Sequence, residues 1–179
     1  MPRYRIAAWA VPTVDQHVNL PPRVPEEARR CFERAYSAQM EGRLEEATEL
    51  YKESIAVCPT AEAHTFLGWV YSMEHRWEEA IAECHRAIAV DPEFGNPYND
   101  IGAYLIELGR IDEAMPWLER AKDAIRYEPR HYPHINLSRI HVLRNDIVAA
   151  ARELRAALDI EPGHTAARRE LHRLMGMLN

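Results

Sequence analysis

The sequence predicts an all-α protein built of four antiparallel helix pairs, with a further helix at the C-terminal end. Three observations carry that prediction. Four segments share one register, "EGRLEEATELYKESIAVCP", "EHRWEEAIAECHRAIAVDP", "ELGRIDEAMPWLERAKDAI" and "LRNDIVAAARELRAALDIEP", and the small residues Ala47, Ala80, Ala114 and Ala150 within them are spaced by 33, 34 and 36 residues. Apolar residues recur at three- and four-residue intervals, the period of a helix with one buried face. A turn carrying Gly42, His75, Gly109 or Asn145 divides each unit, and Pro59, Pro92, Pro129 or Pro162 closes it.

Residues 1–24 hold four of the twelve prolines and are expected to be extended, since proline ends a helix and restricts the residue before it. The first unit, about 28–60, pairs the small residue Ala35 with Ala47, Tyr51 and Ser54. It departs from the others at Arg34, where they have Leu67, Ile101 and Leu137, as an end unit tolerates. The second, about 61–94, repeats the pattern as Gly68 with Ala80, Cys84 and Ala87. The third, about 95–130, has Gly102 with Ala114, Leu118 and Ala121 and opens on Asn96-Pro97, read as an N-cap and a first-turn proline. It is two residues longer, and "AKDAIRYEPRHYPH" suggests a second helix extended by part of a turn before Pro129. The fourth, about 131–162, has Ser138 with Ala150, Leu154 and Ala157. Small residues in both halves let the paired helices cross closely. Acidic pairs Glu45-Glu46, Glu78-Glu79 and Asp112-Glu113 open the second helices, where the helix dipole favours negative charge. Residues 163–179 place Leu171, Leu174, Met175 and Leu178 on one face, as a helix closing the apolar end of the array does.

Composition narrows the function. A net charge of −6 offers no basic field for a nucleic acid. Three cysteines without a CxxC pair make no disulfide framework, so a reducing compartment is expected. No apolar stretch approaches the roughly 20 residues that cross a bilayer, and Ile6 to Val11 is too short for a signal-peptide core. The expectation is a cytoplasmic protein without membrane insertion.

The chemical candidates resolve into framework. Helical geometry turns Cys84 inward with Ala80, Ala87 and Ile88, and sets His85 at the edge of that face, so the two side chains diverge. A thiol in apolar surroundings carries little thiolate. His134 and His141 stand about 10 Å apart along a helix, too far to chelate one ion. His131 and His134 are closer, but no third ligand is evident. No Ser-His-Asp set or phosphate-cradling glycine loop is present. Neither catalysis, a metal nor a cofactor is expected.

The repeated residues resemble the tetratricopeptide repeat, best in "AEAHTFLGWVYSMEHRWEEAIAECHRAIAVDP" and "GNPYNDIGAYLIELGRIDEAMPWLERA" and over roughly residues 26–162. The resemblance implies a right-handed superhelical solenoid of antiparallel helix pairs, four repeats and a capping helix, whose first helices line a concave groove that binds protein or peptide. On that register the groove residues are Phe32 and Tyr36, then Glu62, Thr65, Phe66, Trp69 and Met73, then Asn99, Asp100, Ala103 and Glu107, and finally Tyr132, Asn136, Arg139 and Leu143. Trp69 is expected to face outward, or else to pack against another part of the chain. The cationic clamp with which one subclass grips chaperone C-termini is missing, and Asp100 would repel a carboxylate.

The function expected is a non-catalytic adaptor or assembly factor with a protein or peptide partner. The alternative is a structural self-associating protein. Residues 1–24 carry a net charge of +2, from Arg3, Arg5 and Arg23 against Asp15. They would then lie along the groove of their own or a neighbouring chain, with Trp9 or Tyr4 near Trp69; a disordered tail is the other possibility.

Overall fold

The computed structural model describes residues 20–178. Nine helices follow one another among these residues: α1 Glu26–Met40, α2 Leu44–Val57, α3 Ala61–Met73, α4 Trp77–Val90, α5 Asn96–Glu107, α6 Ile111–Asp123, α7 Tyr132–Leu143, α8 Ile147–Ile160 and α9 Thr165–Met177. The fold is all-α. Each odd helix packs most closely on the even helix after it, and the pairs stack in sequence order, with α9 against α8.

The same turn is used four times. Gly42, His75, Gly109 and Asn145 all adopt a left-handed backbone, with φ of 77°, 60°, 75° and 58°. Around each, two backbone bonds close the preceding helix: His75 N donates to Ser72 O (3.0 Å) and Arg76 N to Tyr71 O (2.9 Å), with equivalent bonds at the other three turns. This is the Schellman arrangement, which satisfies carbonyls left open at a helix end and favours glycine or asparagine at its left-handed residue. His75 meets the same demand with a bulkier side chain, whose ring rests edge-on against Trp77 at 5.3 Å.

The small residues account for close crossing inside the pairs. A Cβ on Gly68 would stand 3.0 Å from the carbonyl oxygen of Ala80 and 3.5 Å from Cys84 Sγ, and one on Gly102 would stand 2.5 Å from two atoms of Leu118. Cys84 is fully buried, and burial pushes its thiol well above the ordinary range, helped by the charges of Asp100 and Glu83. His85 lies on the exposed side with its ring against Trp117 at 5.2 Å. One apolar core runs from Leu20 and Val24 through the first three pairs to Leu137 and Ile140; a second joins Ile135, Ala150, Leu154, Ala157, Ala167 and Leu174.

Three local expectations change. The extra residues of the third unit do not lengthen its second helix: α6 ends at Asp123, and residues 124–131 form a loop. Arg126 there makes an isolated parallel bridge with Phe94, and the Tyr127 ring fills the space that a Cβ on Gly95 would need. Packing on the preceding turn thus outweighs local helix propensity. At the start of α5, Gly95 is the N-cap and Asn96 the first helical residue, without a side-chain cap bond; Gly95 N donates instead to Arg126 O at 2.9 Å. Leu178 lies just past α9 and is exposed, leaving Ala167, Leu171 and Leu174 to make the apolar contact.

Of residues 1–24, Leu20 and Val24 are buried against the first pair. The proposed path of Trp9 or Tyr4 toward Trp69 falls on residues outside the described ones.

Candidate functional site

The first helices of successive pairs, α1, α3, α5 and α7, touch one another, and the second helices make no comparable contacts among themselves. A stack that is tighter on one side curves toward it, so the first helices form the concave face. That face divides into three regions.

The first is aromatic. Phe66 meets Phe32, Tyr36 and Trp69 edge-on at 5.4, 5.7 and 5.6 Å. Phe32 also meets Tyr51 of α2 at 5.4 Å. Phe32 and Phe66 are buried, while Tyr36 and Trp69 keep part of their surface open and Met73 is exposed. Of the expected groove residues in this region, Phe32 and Phe66 are covered by neighbouring rings, and Tyr36, Trp69 and Met73 hold the open surface. Thr65 is buried too, its hydroxyl donating to Ala61 O at 2.8 Å.

The second region is polar. Asn136 Nδ2 donates to Asn99 Oδ1 at 3.0 Å, Arg139 Nη1 donates to Asn136 Oδ1 at 3.2 Å, and Arg139 Nη2 pairs with Glu107 at 2.5 Å. This chain joins α5 to α7. Asn99 and Asn136 are buried within it. Asp100 and Ala103 keep part of their surface. Asp100 accepts a bond from Asn99 Nδ2 at 3.3 Å. Protein surrounds the Asp100 carboxyl on the groove floor even where solvent reaches it, and this desolvation pushes it up to about 7, against the lowering effect of the Asn99 bond. Glu62 is 2% exposed and pairs with Arg126 Nη1 at 2.7 Å. The guanidinium of Arg126 also holds Asp91 at 2.5 Å, so the loop after α6 is clasped to both α3 and the end of α4.

The third region is a cleft of 550 Å³ at the C-terminal end, between α5, α7, α8 and α9. Ile106, Ile135, Val142 and Leu143 give it an apolar wall, and Glu107, Arg139, Arg169 and Arg173 bring charge to it. Leu143 is 56% exposed. Tyr132 stands just outside, its ring against His131 and His164 at 4.4 and 6.2 Å. Of the expected groove residues only Glu107, Arg139 and Leu143 line this cleft. The sequence reading missed its α9 side, having given that helix a closing role alone. A signal was present: α9 follows Pro162 after a short gap, as α3 follows Pro59 and α5 follows Pro92, which puts it where the first helix of another pair would stand.

No described helix is long and apolar enough to cross a membrane, and no group of three or more metal-ligating side chains occurs among the described residues. Among curated proteins, the chain is similar to the Drosophila melanogaster protein O-mannosyl-transferase Tmtc1, 31% identical over 101 residues. That match takes in 52% of this chain but only 12% of the relative. Among solved structures, pilF of Pseudomonas aeruginosa superposes with a TM-score of 0.79 at 22% identity, covering 85% of this chain and 69% of that one. TTC0263 of Thermus thermophilus, described as a thermophilic TPR protein, gives a TM-score of 0.73 at 18% identity, with 84% and 82% covered. YrrB, described as a TPR protein with an unusual peptide-binding site, gives 0.62 at 20% identity, with 84% and 77% covered. At these identities the likeness is one of fold. Family models for the tetratricopeptide repeat match residues 61–94 and 98–126, the second and third helix pairs. Those two matches stand at the centre of a stack of four such pairs, so the chain carries tetratricopeptide repeats and has the fold of the proteins built from them.

Proposed function

We propose that the chain is a non-catalytic adaptor that binds a protein or peptide segment on its concave face, with the C-terminal cleft as the anchor for an apolar side chain. The cleft carries this reading. It joins an apolar wall of Ile106, Ile135, Val142 and Leu143 to charged groups at Arg139 and Glu107, the combination of anchor pocket and polar rim that fixes a polypeptide in one register. Trp69 and Tyr36 give the other end of the groove half-open aromatic surface, suited to further side chains of the same segment. Fold and repeat family agree with a scaffold for protein contacts, and the reading places that scaffold in the cytoplasm.

The test is site-specific photo-crosslinking in cells. A photoreactive phenylalanine at Leu143, in the cleft, is expected to capture a discrete partner. The same group at Val148, exposed on α8 of the outer layer, is expected to capture none. Equal capture from the two positions, or capture at Leu143 that persists undiminished in Arg139→Ala, would reject the concave face as the binding surface.

A further inference from the structure

The polar floor of the groove is short of positive charge. Glu62 and Asp91 share the single guanidinium of Arg126, so that trio keeps one net negative charge. Glu62 is buried, and while its Oε1 is bonded to Arg126, its Oε2 has no hydrogen-bond partner among the described residues. Asp100 makes no ion pair with a described cation; its only hydrogen bond from a described side chain comes from the neutral amide of Asn99. Tyr127, 4% exposed and next to Arg126, also has a hydroxyl without a partner among the described residues, and the charge of Asp100 reaches it. The α7 cation on this face, Arg139, is engaged by Glu107 and Asn136. Buried acceptors without partners cost free energy, and buried negative charge costs more unless a cation faces it. Both unpartnered atoms lie where the loop 124–131 closes on α3 and α5.

Resting on the groove reading above, we propose that the floor between α3 and α5 is the seat of one basic side chain, a lysine or arginine, of the bound polypeptide, with its charge held by the partly open Asp100 and favoured by the excess negative charge at Glu62 and Asp91. Trp69 and Ala103, both partly open, offer surface for the aliphatic stem of such a side chain. A polypeptide that reaches from this seat to the C-terminal cleft would present a basic residue toward one end and an apolar one toward the other. Charge selects here as well as attracts: an acidic residue at the same place meets uncompensated carboxylates.

The experiment selects binders from a random dodecapeptide library displayed on phage, using the full chain. Peptides that share a lysine or arginine at a fixed place, and lose at least tenfold in affinity toward Asp100→Asn, are the expected result. Glu62→Gln, checked for folding by circular dichroism, is expected to weaken them in the same sense. The seated cation requires the ionised carboxylate, so wild-type affinity is expected to fall between pH 8 and pH 6 and that of Asp100→Asn to stay level. Cys84, Tyr104 and Tyr127, the other titratable groups around Asp100, are held protonated by burial over this range. Enriched peptides without a fixed basic residue, or basic peptides that bind Asp100→Asn as tightly as wild type, overturn the seat and leave the groove standing if Leu143→Arg abolishes their binding. A library that yields no binder rejects the groove reading, and the seat with it.

Discussion

His64 Nδ1 lies 2.7 Å from Oε2 of Glu83, nineteen residues further along and on the partner helix of the same pair. Two repeats later the contact recurs at the equivalent places, His134 Nδ1 to Glu153 Oε2, also at 2.7 Å. In the repeat between them the two places hold Tyr98 and Trp117, whose rings stand 6.1 Å apart with Arg120 over both. One position in the repeat thus joins first helix to second by a charged hydrogen bond or by ring contact.

The His64 pair is the more enclosed, with side chains 9% and 9% exposed against 15% and 18% for the pair at His134. Truncating His64 leaves Glu83 Oε2 without its bond while Arg86 still holds the other oxygen, at a cost of about 1–2 kcal/mol. His64→Leu is therefore expected to destabilise by that amount and His134→Leu by roughly half as much. The measurement is a double-mutant cycle in urea with Glu83→Gln; a coupling near zero would show that the contact contributes nothing. At the second pair, burial raises the Glu153 carboxyl, but the His134 bond and the charges of Lys122, His134 and His141 outweigh it and hold the group below its usual range. Its contribution is present above the unfolded carboxylate pKa and is lost as pH falls through the depressed folded value.

Gly102 is required by Leu118. An added Cβ would meet the Leu118 side chain at 2.5 Å, at its branch point as well as its tip, so rotation alone cannot clear it. Gly102→Ala is expected to cost about 2–3 kcal/mol through overpacking. Gly68→Ala meets the Ala80 carbonyl at 3.0 Å, and is expected to cost about 1–2 kcal/mol on the same grounds. Thermal melts of the two variants check the order; Gly102→Ala as stable as wild type would mean that the helices can move apart freely.

The repeat was legible because its signals are local and recur. Ala, Gly or Ser at the crossing and a left-handed residue at the turn mark each pair, and His75 could be placed by alignment with Gly42 and Gly109 although histidine is an unusual choice there. What was not legible depends on partners distant in sequence. "AKDAI" has good helical residues, yet Tyr127 packing on Gly95 and Arg126 reaching 64 residues back to Glu62 draw the segment out of the helix. The register likewise gave the direction of Phe32 and Phe66 but not that adjacent rings bury them. The C-terminal cleft needed α9 to be seen as another first helix, a matter of packing on α8.

Asp100 costs stability where it stands. Desolvation raises its folded pKa to about 7 from an ordinary 3.8, so its neutral form is the better tolerated. A raised folded pKa gives stability that is full below the unfolded value and is lost as pH rises through the folded one. Asp100→Asn should then match wild type near pH 4 and become the more stable protein by pH 8. At about 1.4 kcal/mol per unit the gap could reach roughly 4 kcal/mol, and partial solvent access trims it to about 2. Urea titrations of both proteins at pH 4, 6 and 8 test this; equal stability at pH 8 would mean that the carboxylate is well solvated in the folded chain.

The junction of α7 with α9 is expected to fail first in mild acid. His164 caps α9 by accepting a hydrogen bond at Nδ1 from Ala167 N, at 3.1 Å, which needs that nitrogen unprotonated. Its ring stands 5.1 Å from the buried ring of His131. Burial lowers the His131 pKa, the charge of His164 lowers it further, and Glu161 opposes both without reversing the direction. A depressed folded pKa means stability that is full above the unfolded value, near 6.5, and is lost as pH falls toward the folded one. Protonating the buried His131 would place a positive charge against the His164 ring that caps α9, and so weaken a cap worth about 1 kcal/mol. Since α9 forms one wall of the C-terminal cleft, loosening it would open the site that the apolar anchor needs. Amide hydrogen exchange at Ala167 to Glu170, corrected for the intrinsic pH dependence, should lose protection between pH 7 and pH 5.5 while α3 and α5 keep theirs. His131→Gln, which takes up no proton in this range, should hold that protection to lower pH. Equal acid sensitivity in the Gln variant and in wild type would place the weak point elsewhere.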